Sequence, residues 1–116
     1  MMEQKRPAYY AIMPGSVRYD SRLKANEKVL YAEISCAIGE DGYCRELNRY
    51  FADLFGVTPQ AISRWINHLA QLGYLVLDYE HTPMGDRRKM IVDDPGFESR
   101  EEILISKRCN KDVSEL

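Results

Sequence analysis

The chain has 116 residues, 45% of them hydrophobic and 29% charged, which suits one small globular domain with a tail and leaves little room for a second core. A net charge of −2 argues against a protein that coats polyanions indiscriminately. No apolar run approaches the roughly 20 residues a membrane span needs. The opening MMEQKRPAYY lacks the apolar stretch of a secretion signal, so a cytoplasmic protein with no membrane partner is expected.

In chain order, Tyr9 to Pro14 suggests a short strand that ends in a turn at Pro14-Gly15. Asn26 is placed to cap the helix that follows, with Val29, Leu30, Ile34, Ala37 and Ile38 as its buried stripe. The run GEDG from Gly39 to Gly42 breaks that helix, and Tyr43-Cys44-Arg45 is a brief extended piece suited to pairing with a later hairpin. Asn48 is placed to cap a second helix that carries Phe51, Leu54 and Phe55.

The stretch YFADLFGVTPQAISRWINHLAQLGYL, residues 50–75, reads as helix, tight turn, helix and strand start. Ala52 is small where two helices have to cross closely, and Gly56 follows where a helix must end in a left-handed conformation that costs glycine little. Thr58 can accept a backbone N–H as N-cap, and Pro59 suits the first helical position because it has no N–H to lose. Ile62, Trp65, Ile66, Leu69 and Leu72 then form one apolar stripe. The other face carries Gln60, Ala61, Ser63, Arg64, Asn67 and His68, the composition of a helix that reads DNA bases.

An α-hairpin with glycine in its turn is also a common packing unit, so the flanks decide. Gly73 ends the helix, and Tyr74 to Tyr79 is rich in strand formers. Pro83, Met84, Gly85 and Asp86 make a turn, and Lys89 to Val92 returns. A helix-turn-helix followed directly by a hairpin is a winged helix. The fold class expected is therefore α+β, a winged helix-turn-helix over residues 1–92 with a three-helix core and a small antiparallel sheet. Residues 93–116 form an acidic and mixed tail, read as an arm, a helix or a disordered segment.

Charge is unevenly distributed. Residues 1–24 carry five basic and two acidic side chains, residues 25–56 three and six, residues 57–92 four and three, and residues 93–116 four and seven. Arg87, Arg88 and Lys89 are the densest positive cluster and fall at the hairpin tip and its return, where phosphates or a minor groove could meet them. With Arg64 the one arginine or lysine on the reading helix, modest affinity is expected of a monomer. Homodimerisation, or tethering to other proteins, would supply tight site-specific binding.

The string from YYAIMPGSVRYD through NEKVLYAEI and GYC to YFADLFGV, ISRWI and LGYL resembles the amino-terminal winged-helix domain of phage and mobile-element replication proteins, of the replisome-organiser or replication-initiator type. The resemblance spans residue 9 to about 92. It implies double-stranded DNA binding, in replication initiation or in transcription regulation. Carried onto this sequence, the DNA-binding positions are Thr58, Gln60, Ala61, Ser63, Arg64 and Asn67 on the reading helix, with Arg87, Arg88 and Lys89 in the wing. Family members continue into a second domain that contacts host replication proteins, for which residues 93–116 are too few. A protein-binding module, a regulator or inhibitor of a host or phage protein built on the same scaffold, is the rival expectation.

Other chemistries find little support. Cys36, Cys44 and Cys109 are odd in number and widely spaced, so reduced structural thiols are expected. His68 and His81 lack neighbours that would complete a metal set, and no cofactor is expected. Trp65 belongs by spacing to the core stripe. Five of the eight tyrosines, Tyr9, Tyr10, Tyr31, Tyr74 and Tyr79, fall on elements expected to pack. Asp93-Asp94 and Glu101-Glu102 are adjacent pairs that do not converge, and no nucleophile stands in a recognisable motif, so an enzyme is not expected.

Overall fold

The computed structural model describes residues 10–93. The expected tail from residue 94 onward, with Asp94, Glu101, Glu102 and Cys109, lies outside the described residues, as does Tyr9. Four helices precede one hairpin: α1 Gly15–Arg18, α2 Ala25–Cys36, α3 Asn48–Phe55, α4 Pro59–Gln71, then strands β1 Leu75–Thr82 and β2 Gly85–Val92. This is an α+β fold in which a helix-turn-helix, α3–α4, leads directly into a two-stranded wing.

The turn between α3 and α4 follows from its residues. Gly56 closes α3 at φ 67°, a left-handed conformation that glycine reaches without a Cβ penalty. The Val57 N–H then bonds back to the Ala52 carbonyl at 3.0 Å. The Thr58 hydroxyl accepts the Ala61 N–H at 3.1 Å, and Pro59 opens α4. Ile62, Ile66 and Leu69 send one fully buried stripe from α4 into the core, where they join Leu30, Tyr31 and Ile34 of α2 and Phe51 of α3. Burying aliphatic and aromatic side chains of this size supplies most of the stabilisation, at about 25 cal/mol per Å² of apolar area removed from water.

β1 and β2 pair antiparallel, with Leu75 opposite Val92 at the base and Thr82 opposite Gly85 at the tip. Cys44 adds a single bridge to β2, exchanging both backbone hydrogen bonds with Met90 at 2.9 Å. The extended piece expected at Tyr43-Cys44-Arg45 does pair with the wing. Cys44 and Met90 are both fully buried, which seats the hairpin base on the helices.

Several expectations are corrected. Tyr10 to Pro14 form no strand, and the chain instead turns into the short helix α1, whose Val17 is buried. Asn26 and Asn48 do not cap. The caps are Lys24 and Leu47, and each asparagine sits inside its helix. At Lys24 the backbone N–H is taken by Glu27 Oε1 at 2.8 Å, so a carboxylate three residues on fills the capping role. Val29 is 48% exposed, and the buried face of α2 runs instead through Leu30, Tyr31, Ala32 and Ile34. Of the tyrosines, Tyr31 and Tyr74 are buried edge to face, with ring centroids 5.8 Å apart, whereas Tyr10 and Tyr79 are exposed. Trp65 is partly buried against the core.

Candidate nucleic-acid interface

α4 turns two different faces to its surroundings. Gln60, Arg64, Asn67 and Gln71 recur at helical spacing and are exposed, opposite the buried stripe. Thr58 and Pro59 are exposed at its amino-terminal end, and Ser63 is half-buried beside the row. Ala61 is a correction. It is 8% exposed on the core side, so its methyl group does not belong to the outward row. His68 also leaves it, because its Nδ1 lies 2.5 Å from Oε2 of the buried Glu27 and ties the end of α4 to the start of α2.

The hairpin register decides what the wing cations can do. Directly opposite residues share a face of a sheet, and neighbours along a strand alternate. The outer face pairs Asp78 with Lys89 and Glu80 with Arg87. Lys89 Nζ also approaches Glu80 Oε2 at 3.9 Å and lies 4.6 Å from the centre of the Tyr43 ring, whereas Arg87 has Glu80 across the ladder but forms no ion pair among the described residues. Arg87 is exposed, Lys89 half-buried. The turn itself, Pro83-Met84, carries no charge, so the basic cluster lies along β2 rather than at the tip.

Arg88 faces inward, on the same side as Met90. Its Nη1 donates to Asn48 Oδ1 at 2.8 Å and its Nη2 to the Glu46 carbonyl at 3.0 Å. Burial pushes its guanidinium below the ordinary arginine pKa. Beside it runs a shallow cleft between the wing and the amino-terminal ends of α3 and α4, lined by Leu47, Asn48, Arg49, Pro59, Tyr79, Asp86 and Arg88. Arg49 and Tyr79 are exposed there and were missed by sequence reasoning. A signal existed for Arg49, a cation in the first turn of the leading helix of a helix-turn-helix. None existed for Tyr79, whose place depends on the hairpin register.

Away from this surface, the Tyr74 hydroxyl donates to Asp20 Oδ2 at 2.7 Å, and Arg22 forks onto the same carboxylate at 2.6 and 2.9 Å. These hydrogen bonds, Arg22 first, hold the Asp20 carboxyl well below the usual carboxylate range. Cys44 is buried and its thiol is pushed up by desolvation, which suits a packed, unreactive sulfur. No helix among the described residues is long and apolar enough to cross a membrane.

No family model matches this chain, and no curated protein matches it. Two solved structures share its fold. One, described as "Structure of Rep-DNA complex", superposes with a TM-score of 0.55 at 15% identity, covering 90% of this chain and 89% of that one. The other, "N-Terminal domain of DNA binding protein", gives 0.58 at 16% identity over 95% and 98%.

Proposed function

We propose that this chain binds double-stranded DNA with α4 in the major groove, as a cytoplasmic protein of phage or mobile-element type acting in replication initiation or transcription regulation. The observation that carries the reading is the outward row Gln60, Arg64 and Asn67 on a helix braced by a hairpin. Amide side chains suit adenine edges and an arginine suits guanine or a phosphate. Thr58 and Ser63 stand where the amino-terminal end of α4 would meet the backbone, and Arg87 and Lys89 supply positive charge on the wing. The two structural neighbours support the reading through a shared fold and their own descriptions, one of them as a DNA complex. With one arginine and no lysine on α4, two copies on a two-fold site would bind far more tightly than one.

A second reading, a module that grips a basic host or phage protein, is favoured by the carboxylates opposite Arg87 and Lys89 and by the net charge of −2. Fluorescence anisotropy with labelled duplex from the protein's own genomic neighbourhood, at two salt concentrations and against scrambled competitor, separates the two. Binding that survives competitor and weakens with salt is expected. No binding at low salt would overturn the DNA reading in favour of a protein partner.

A further inference from the structure

Arg88 has three features that a phosphate-contacting arginine does not need. Its two terminal nitrogens are engaged at once, one on the Asn48 amide and the other on the Glu46 carbonyl. Its Nε is buried and has no hydrogen-bond partner. No ion pair to a carboxylate forms at its guanidinium among the described residues. A planar guanidinium recognises a phosphate with two N–H groups along one outward edge. Here one N–H of each terminal nitrogen is spent on the protein, and the Nε–H is buried.

The place of these contacts matters more than their number. Glu46 and Asn48 flank Leu47, the residue that caps α3, and α3 is joined to α4 by the tight turn at Gly56. A side chain of β2 therefore holds the start of the helix-turn-helix. The backbone bridge from Cys44 to Met90 pins the hairpin at its base, and Arg88 pins it two residues nearer the tip. Beyond Arg88, Pro83 to Arg87 are all exposed. It is the last anchor before the wing runs free.

We propose that Arg88 is a positioning residue, a strut that fixes the angle between the hairpin and α4 and so the stretch of duplex the two can hold together. This rests on the DNA reading above. The strut loses its function when either end is removed, and its positive charge is secondary to its fork.

Four variants test it: Arg88→Ala, Arg88→Lys, Asn48→Ala and the double Asn48→Ala/Arg88→Ala, with duplex affinity measured across a salt series. Arg88→Lys is expected to lose nearly as much affinity as Arg88→Ala, since lysine keeps the charge without the planar fork. Each single variant should weaken binding by roughly five- to tenfold, and the double by little more than the worse single, because the two residues share one interaction. The salt slope should be the same in Arg88→Lys as in Arg88→Ala, because the charge of residue 88 itself meets no phosphate. A slope shallower by about 0.9 in Arg88→Ala, with Arg88→Lys binding like wild type, would make Arg88 a phosphate contact and overturn the proposal. Additive effects of Asn48→Ala and Arg88→Ala would overturn it too. Amide hydrogen exchange along β2, read without DNA, is expected to quicken in Arg88→Ala and Asn48→Ala alike. Unchanged exchange in both would sink the strut by itself, whereas a wild type that binds no duplex sinks the DNA reading while the exchange arm still decides the strut.

Discussion

The outward face of α4 and the outer face of the hairpin both carry basic side chains, yet they present them differently. Arg64 is exposed between Gln60 and Asn67 and enters no ion pair among the described residues. Arg87 and Lys89 stand opposite Glu80 and Asp78. On a helix, residues three and four apart meet, and none of the neighbours of Arg64 at those spacings is a carboxylate. On a sheet, the partner across the ladder is set by register, and here it is acidic each time. A cation counted in the sequence thus has uncharged amides beside it in the outward row of α4 and a carboxylate across the ladder on the wing, although Arg87, like Arg64, enters no ion pair among the described residues.

The two regions also differ in what holds them, and the largest effect should come from that. Ile66 is 1% exposed beneath the outward row, whereas Met84 at the hairpin tip is 90% exposed. Ile66→Ala should cost about 3 kcal/mol through lost transfer energy and a residual cavity. Met84→Ala should change stability by less than about 0.5 kcal/mol. Urea denaturation of both variants checks the pair, and a large loss from Met84 would mean that the tip packs on something.

Next in size is the outward face of α4. Arg64→Ala is expected to weaken duplex binding by about 10- to 100-fold and to relax sequence preference, the span corresponding to one good base contact. Competition with single-base variants of the site measures it. Equal losses on all sequences would move Arg64 from a base to a phosphate.

The α3–turn–α4 unit was legible because each local choice there is unambiguous: Gly56 for the left-handed residue, Thr58 for the cap, Pro59 for the first turn, and an apolar period of 3.6 through Ile62, Ile66 and Leu69. Caps were misplaced where the capping group is not a short polar side chain. Glu27 reaches back to the Lys24 N–H, and Asn48 holds Arg88 from inside its helix. Val29 stands outside the buried set of α2, which runs through Leu30, Tyr31, Ala32 and Ile34. The wing was legible as a hairpin but its chemistry was not. The partners of Arg87 and Lys89 follow from register, and the partner of Arg88 lies 40 positions away in the chain.

A third test separates the base of the fold from the outward row of α4. Asp20 is held as a carboxylate by Arg22 and Tyr74, so its folded pKa lies below the ordinary 3.8. The sign follows: a depressed carboxyl stabilises the fold above its unfolded pKa and loses that contribution as pH falls below 3.8 toward the folded value. Asp20→Asn should therefore be less stable than wild type at neutral pH, and the difference should shrink on acidification below 3.8. Thermal melts across that range check it, and a constant difference would assign the effect to shape rather than charge.

The smallest expected effect is the most direct on the comparison itself. If Glu80 compensates Arg87 and Lys89, then Glu80→Gln leaves both cations opposite or near a neutral amide of the same size. Exposed pairs of this kind contribute less than about 1 kcal/mol, so the hairpin should lose little stability. Duplex binding should strengthen by about two- to fivefold at low salt, because the freed cations displace counterions from phosphates. The salt slope should steepen with it, and the gain should fade as ionic strength screens the wing. Asp78→Asn, which faces Lys89 alone, should do the same more weakly, since Lys89 keeps its contacts with Glu80 and the Tyr43 ring. Unchanged affinity in both would place the outer face of the wing away from the duplex, leaving the cleft beside Tyr79 and Arg49 as the side of the hairpin that meets it.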